Sequence, residues 1–378
     1  MGSKLANKRI VLAINASWNI INFRLGLVRG LQAAGYEVIA LAPPDRFSPA
    51  LADHGITFIP IDLDPRGTSV TADLDLLRRY RKVLREVRPA AFLAYTIKPN
   101  IYGSIAARML DIPVINNIAG LGDTFIGNTW LNRLVRGLYR LALSRSPVIF
   151  FQNPDDRALF LSRKIVRDAQ TRLLPGSGVD LDRFSPPAAT GRQDGAVTFL
   201  MVARLLRSKG VADFVEAGRM VRTKHPHTQF QLLGLVQDGK DAIPRAEIDH
   251  WVNEGAITFL GGADDVRPFI AAADCIVLPT YYPEGTPRSL LEAAAMGRPL
   301  IASDMPGCRE IVEDGRNGFR FPARDVCALA ERMTTIAEMS SVERAAMGAK
   351  SRRKVETQFD ERIVIERYRE ALDIALTR

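Results

Sequence analysis

The sequence predicts an α/β fold made of two doubly wound, parallel-sheet domains. Short apolar runs alternate with helical patterns along the whole chain, the order that yields strand–helix–strand units and parallel sheets. The series begins twice, at Arg9-Ile10-Val11-Leu12-Ala13-Ile14 and again at Val197-Thr198-Phe199-Leu200-Met201-Val202. The length of 378 residues suits two domains of ordinary size.

The composition, 47% hydrophobic and 25% charged, is that of a soluble globular protein. Cys275, Cys308 and Cys327 are far apart and lack metal-ligand spacing, which points to a reducing, cytoplasmic setting. His225 and His227 flank Pro226 in a polar turn and form no zinc pattern. Met1 to Arg9 shows no apolar core ahead of a cleavage site, so no signal peptide is expected. No apolar run approaches the ~20 residues of a membrane-spanning helix. Charge is uneven. Residues 1–183 carry 25 Lys+Arg and 15 Asp+Glu, a net of +10, so the remainder of the +9 total is −1. An anionic partner is therefore expected for the first half alone, either nucleic acid or an anionic membrane surface.

In chain order, the first strand ends at Asn15 and its exit loop is Ala16-Ser17-Trp18-Asn19. A helix with apolar spacing at Phe23, Leu27 and Leu31 stops at Gly35. The second strand is Glu37-Val38-Ile39-Ala40-Leu41-Ala42 and the third Phe58-Ile59-Pro60-Ile61. The first loop has no glycine fingerprint, so a dinucleotide is not expected there, yet such a loop can still floor a binding crevice. A helix from about Thr71 to Arg88 presents Arg78, Arg79, Arg81, Lys82, Arg85 and Arg88 as a solvated basic face. The fourth strand, Ala91-Phe92-Leu93-Ala94-Tyr95, leads to Lys98, which could meet a phosphate or hydroxyl, or be an ordinary surface lysine. The fifth strand, Val114-Ile115-Asn116-Asn117-Ile118, leads to Ala119-Gly120-Leu121-Gly122-Asp123, where the glycines permit close backbone approach.

Residues 129–145 read as a basic amphipathic helix. Trp130, Leu131, Leu134, Val135, Leu138, Leu141 and Ala142 share a face, and Arg133, Arg136, Arg140 and Arg145 surround it. Such a helix can lie on anionic lipid or simply pack on a core with its arginines outside. The sixth strand is Val148-Ile149-Phe150-Phe151. The most linker-like composition runs from Ser185 to Gly195, which places domains at 1–185 and 186–357 and a closing helix at 358–378. That helix carries Ile363, Ile365, Tyr368, Leu372 and Ile374.

In the second series, the first strand exits into Arg204-Leu205-Leu206-Arg207-Ser208-Lys209-Gly210. Arg204 and Lys209 can flank a diphosphate and offset its charge as it leaves, which elsewhere is the work of a metal ion. Further strands are expected at Phe230-Gln231-Leu232-Leu233, Ile257-Thr258-Phe259-Leu260, Cys275-Ile276-Val277-Leu278-Pro279 and Leu300-Ile301-Ala302. Gly307, Glu310, Gly315, Gly318 and Phe319 read as a capped helix and a turn. Between two of these strands lies the stretch Glu284-Gly285-Thr286-Pro287-Arg288-Ser289-Leu290-Leu291-Glu292, with Pro287 suited to a helix start and Gly297 to its end. A helix start binds phosphate through its free N–H groups and positive partial charge. Glu284 and Glu292 bracket it and can accept from hydroxyls on either side. A nucleotide sugar presents ribose, diphosphate and hexose in that order, although two glutamates at this spacing also occur without function.

Ala203-Arg204 with Lys209-Gly210, Glu284-Gly285 with Leu290-Leu291-Glu292-Ala293, Gly297-Arg298-Pro299 and Glu310 with Gly315 and Gly318 resemble the C-terminal half of the GT-B retaining glycosyltransferases of family 4. The resemblance covers nearly the whole chain. Asn22-Phe23-Arg24, Lys98-Pro99-Asn100-Ile101-Tyr102-Gly103 and Asn117-Ile118-Ala119-Gly120-Leu121-Gly122 resemble a narrower group, bacterial enzymes that extend undecaprenyl-diphosphate-linked sugars, often with N-acetylgalactosamine. The resemblance implies a GT-B fold with a cleft between the domains and the closing helix crossing back to the first. It implies a UDP-sugar donor, a lipid-linked saccharide acceptor and retention at the anomeric carbon, with no metal or other cofactor. By that resemblance Arg204, Lys209 and Glu284 are catalytic, the cations binding diphosphate and Glu284 the donor sugar. Glu292 takes the ribose, with Gly285, Thr286, Pro287, Arg288, Ser17 and Lys98 completing the donor site. The basic half and residues 129–145 then become a docking face on the inner side of the bacterial cytoplasmic membrane. Nucleic acid drops out, since interleaved aromatics and a recognition motif are lacking. A soluble acceptor, or a GT-B UDP-sugar epimerase, is the alternative. Two positions depart from the family pattern: Ala119 stands where many members carry a donor-sugar histidine, and Ala16-Ser17 replaces a glycine pair.

Overall fold

A computed structural model describes residues 8–64, 67, 69–120, 130–187 and 196–377. The chain divides into two compact units, one of Met1–Ser177 with Glu361–Arg378 and one of Gly178–Asp360. Residues 1–7, 121–123 and 129, and the linker-like stretch from 188 to 195, lie outside the described residues.

In the first unit, β1 (Arg9–Ala13), β2 (Glu37–Ala42), β3 (Thr57–Pro60), β4 (Ala91–Tyr95), β5 (Val114–Ile118), β6 (Val148–Phe151) and β7 (Thr171–Leu173) form a parallel sheet in the order β3-β2-β1-β4-β5-β6-β7. Its central strands are continuous apolar runs because both faces are covered. Ile10, Leu12, Val38, Leu93 and Tyr95 pack on one side with Leu27 and Leu31. Val11, Ile39, Leu41 and Phe92 pack on the other with Leu76, Tyr80 and Leu84 of the helix Val70–Val87. The direction of winding reverses between β1 and β4, so the loops leaving those two strands open a crevice at the sheet's carboxyl edge.

In the second unit, β8 (Thr198–Val202), β9 (Gln229–Leu233), β10 (Thr258–Phe259), β11 (Cys275–Leu278), β12 (Leu300–Ser303) and β13 (Gly318–Phe321) give the parallel order β10-β9-β8-β11-β12-β13. Phe199 and Phe230 are paired in register and stack at 5.4 Å. Phe214 meets Phe230 edge-on in the same core. On the other face Leu200, Ile276 and Leu278 pack with Leu290, Leu291 and Ala294. Here the winding reverses between β8 and β11.

The structure departs from the sequence reading at several points. Gly318 and Phe319 open β13 rather than a turn, and β7 is an additional edge strand too short to leave a period in the sequence. The first helix begins at Ser17 and breaks at Arg24, whose φ of −130° interrupts Ser17–Phe23 and Leu25–Ala33. Residues 178–185 belong with the second unit, since Val179 N–H donates to the Phe359 carbonyl at 2.8 Å and Val179, Leu181 and Phe184 are buried there. The helix Trp130–Leu143 is rotated from its expected facing. Tyr139, Ala142 and Leu143 are buried, whereas Leu134 and Leu141 are 46% and 50% exposed.

The closing helix Glu361–Leu376 packs on the first unit through Val364, Tyr368, Ala371, Leu372 and Ala375, while Ile374 is exposed. The buried positions follow the 3.6-residue period one step from the expected set and share Tyr368 and Leu372 with it. Leu372→Ala is expected to destabilise the first unit by about 2–5 kcal/mol, read as an earlier urea transition.

Candidate active site

Two loops build the site, and both leave strands at the reversal point of the second sheet. The first follows β8. Arg204 is exposed at its start, whereas Lys209 is buried at its end. A single 3-10 turn, Arg207–Lys209, is closed by Gly210 at φ +76°, a conformation that suits glycine. A Cβ there would also collide with the Pro279 carbonyl, so the first loop lies directly on the second.

The second loop follows β11. The Ser208 carbonyl accepts from the N–H groups of Tyr281 and Tyr282 at 2.9 and 3.1 Å and from Thr280 Oγ1 at 3.2 Å. Thr280 Oγ1 is also 3.3 Å from Glu284 Oε1. These bonds bring Lys209 to Glu284, and the two form a close ion pair with Lys209 Nζ 5.0 Å from the Tyr282 ring centre. The loop after β12 supports this pair, because a Cβ on Gly307 would strike the Gly285 carbonyl. Gly307 N–H donates to Glu310 Oε2 at 2.6 Å, which caps the helix Cys308–Ile311.

Pro287 is the N-cap of the helix Arg288–Ala295 rather than its first residue. Its ring provides no side-chain cap, and no acid lies in the first turn. Neither Pro287 nor a first-turn acid offsets the positive end of this helix, an arrangement that suits an anion. Glu292, one turn in, is buried and accepts from Arg288 Nε at 2.8 Å. Arg288 reaches on to the Gly178 carbonyl. Burial raises the Glu292 carboxyl above its ordinary value, with the charge of Arg288 opposing it. The structure thus gathers Lys209, Glu284 and the 285–288 turn at one place, with the Glu292–Arg288 pair farther along the same helix. The sequence reading missed Thr280, Tyr282 and the pairing of Arg288. The available signal was their position just beyond β11, where ligand contacts are delivered.

In the first unit, Ser17 is fully buried with its hydroxyl 2.9 Å from that of Ser48. Lys98 is not an ordinary surface lysine: it is 11% exposed at the side chain and pairs with Asp73 at 2.7 Å. Tyr102 donates to the other oxygen of Asp73 at 2.8 Å, and burial raises its phenol well above the usual value. Ser17 opens the helix after β1 and Lys98 lies in the first turn after β4, both beside the reversal between those strands. Ala119 is exposed just beyond β5.

Residues 22–177 match the family model of the glycosyl transferase 4-like domain, and residues 196–339 that of glycosyl transferases group 1. The chain is 27% identical over 380 residues, 97% of its length and 98% of the relative's, to the N,N'-diacetylbacillosaminyl-diphospho-undecaprenol alpha-1,3-N-acetylgalactosaminyltransferase of Campylobacter jejuni. It is 22% identical to the UDP-Gal:alpha-D-GlcNAc-diphosphoundecaprenol alpha-1,3-galactosyltransferase of Escherichia coli, covering 82% of this chain and 86% of that one. Among solved structures, a glycosyltransferase of Rickettsia africae superposes with a TM-score of 0.80 at 15% identity, over 98% of this chain and 99% of that one. Anabaena HepE in complex with UDP and glucose superposes with a TM-score of 0.76 at 19% identity, over 97% and 99%.

Two outcomes follow from the site's geometry. Gly210→Ala is expected to cost the second unit about 1–3 kcal/mol in urea unfolding, because the left-handed turn and the Pro279 contact both oppose a methyl group. Glu292→Gln is expected to melt no lower than the parent at pH 7. The raised carboxyl penalises the charged folded form, and this penalty fades as pH falls from the folded value towards the unfolded one. A lower melting temperature for the variant at pH 7 would mean that the Arg288 pair outweighs burial.

Proposed function

The chain belongs to the group 1 glycosyltransferases, and on that premise we propose that it is a retaining, metal-independent enzyme that transfers N-acetylgalactosamine from its UDP-sugar to an undecaprenyl-diphosphate-linked saccharide. One observation carries the donor half of this reading: the Lys209–Glu284 pair beside an uncapped helix start, with the Glu292 carboxyl a turn farther on. Ribose, diphosphate and hexose match this series. Glu292 accepts from the ribose diol. The N–H groups from Thr286 onward, with Arg204 and Lys209, receive the diphosphate. An ammonium has three donors, so Lys209 can hold Glu284 and a phosphate oxygen together, and Glu284 accepts from the sugar hydroxyls. The Campylobacter relative's own activity supports the choice of sugar and lipid.

In the reaction, the bond from the anomeric carbon to the leaving phosphate oxygen breaks. The acceptor hydroxyl oxygen bonds to that carbon on the same face, and its proton passes to the leaving oxygen. Charge grows on the diphosphate as it departs, so Arg204 and Lys209 contribute most in the transition state. Losing either is expected to lower kcat by roughly a hundredfold to a thousandfold.

The acceptor reading draws on the first unit. Its half of the chain holds the whole positive excess. Leu134 and Leu141 stand exposed on the helix Trp130–Leu143, among the exposed Arg133, Arg140 and Arg145. Among the described residues no helix is long and apolar enough to cross a membrane. We place the enzyme on the inner face of the cytoplasmic membrane, docked through this helix. Flotation with phosphatidylglycerol vesicles at low salt is expected, weakening with added salt and in Leu141→Glu. Failure to float at low salt would remove the docking face.

The donor reading is tested by calorimetric titration with UDP, GDP and a panel of UDP-sugars in EDTA. UDP binding that weakens tenfold or more, about 1.4 kcal/mol, in Lys209→Ala and in Glu292→Ala supports it. A chain that takes no nucleotide, even with a polyprenyl-diphosphate sugar present, overturns it. Turnover of a UDP-sugar without acceptor would point instead to an epimerase.

A further inference from the structure

Arg24 is a buried cation that the donor reading leaves unused. It belongs to the Asn22-Phe23-Arg24 stretch and stands where the helix after β1 breaks, between Ser17–Phe23 and Leu25–Ala33. The break turns its side chain inward, where it is 7% exposed. Its guanidinium carbon lies 4.5 Å from the centre of the Tyr95 ring. Nε and Nη1 are closed to solvent and have no hydrogen-bond partner, and Arg24 makes no ion pair among the described residues. A guanidinium stays charged at any ordinary pH, so an unmatched one in the interior is costly. The Tyr95 ring face offsets only part of that cost.

The surroundings are polar and belong to the sheet's carboxyl edge. Tyr95 ends β4, and its ring and buried hydroxyl lie beside those of Tyr368, with the ring centres 6.2 Å apart. Asn117, near the end of β5, donates to the Tyr368 hydroxyl at 3.0 Å and accepts from Gln152, just beyond β6, at 3.1 Å. The next residue after Tyr95, Thr96, has φ +60°, which is strained for a β-branched side chain. Strain at Thr96 and a guanidinium with two unbonded nitrogens meet beside the reversal of the winding between β1 and β4, where parallel sheets take their ligands. The same half of the chain, residues 1–183, carries a net charge of +10, from 25 Lys+Arg and 15 Asp+Glu.

We propose that Arg24 is an acceptor-binding residue, whose guanidinium takes a phosphate oxygen of the prenyl diphosphate at the carboxyl edge of the first unit's sheet. This rests on the acceptor reading above and is independent of the donor site in the second unit. The prenyl diphosphate supplies the anion that Arg24 lacks, and the Tyr95 ring holds the guanidinium in place for it.

The test is titration of the full chain with geranyl diphosphate and with inorganic pyrophosphate, with UDP at saturation, followed by UDP titration alone. Arg24→Gln is expected to weaken geranyl diphosphate and pyrophosphate about tenfold or more and to leave UDP within about twofold. In turnover it raises the acceptor KM more than it lowers kcat. Its melting temperature stays at or above that of the parent, because an unpaired buried charge has been removed. Equal geranyl diphosphate binding in parent and variant, or a lower melting temperature with no change in binding, assigns Arg24 a structural role and overturns the proposal. Weakened UDP with unchanged geranyl diphosphate assigns it to the donor and overturns it as well. Arg24→Lys keeps the charge but loses the planar fork, and it reads the same loss should the glutamine variant not fold. A parent that binds UDP but no prenyl diphosphate sinks the acceptor reading and this inference together. A parent that binds geranyl diphosphate through Arg24 but takes no UDP keeps this inference and loses the donor reading.

Discussion

The carbonyl of Ser208 joins the two loops on which the second unit's site depends. It accepts from the backbone of Tyr281 and Tyr282 and from the Thr280 hydroxyl, while Gly210 rests on the Pro279 carbonyl. These contacts are possible because β8 and β11 are adjacent in the sheet although far apart in the chain. With the loops held together, Lys209 and Glu284 can form a buried pair. Such a pair costs desolvation that its attraction only partly returns, and fixed neighbours on both sides keep it in one geometry.

Glu292 shows the same tension between stability and use. Its burial disfavours the charged carboxylate, and Arg288 only partly counters this. A charged carboxylate there comes at some expense to the folded unit, the cost that the proposed binding role would explain. Arg24 in the first unit is a more extreme case, buried with Nε and Nη1 unbonded and with no ion pair among the described residues. Both residues sit at the carboxyl edges of parallel sheets, close to the points where the winding reverses.

The two units arrive at this arrangement with unequal charge. The first carries the basic excess, an exposed leucine pair among arginines and a closing helix from the far end of the chain packed on its core. The second is near neutral and carries the Lys209–Glu284 pair. The proposed transfer, from a nucleotide sugar in water to an acceptor in an anionic membrane, calls for unlike surfaces of this kind.

The strands, most helices and the stretch from Glu284 to Glu292 were legible in the sequence, because each depends on local pattern. Apolar runs mark doubly covered strands, and a proline followed by a helical period marks a helix start. The family resemblance added the roles proposed for Arg204, Lys209 and Glu292, which spacing alone left open. Short edge elements such as β7 and β13 left too little pattern to read, and the helix Trp130–Leu143 was turned by packing against Phe160 and Ile149. Only the tertiary structure decided that Lys209 meets Glu284, that Lys98 meets Asp73, that residues 178–185 join the second unit and that Arg24 is buried over Tyr95 with two nitrogens unbonded. Partners of this kind are set by which strands become neighbours and by which backbone groups then approach, and neither is encoded in the periodicity of a single segment.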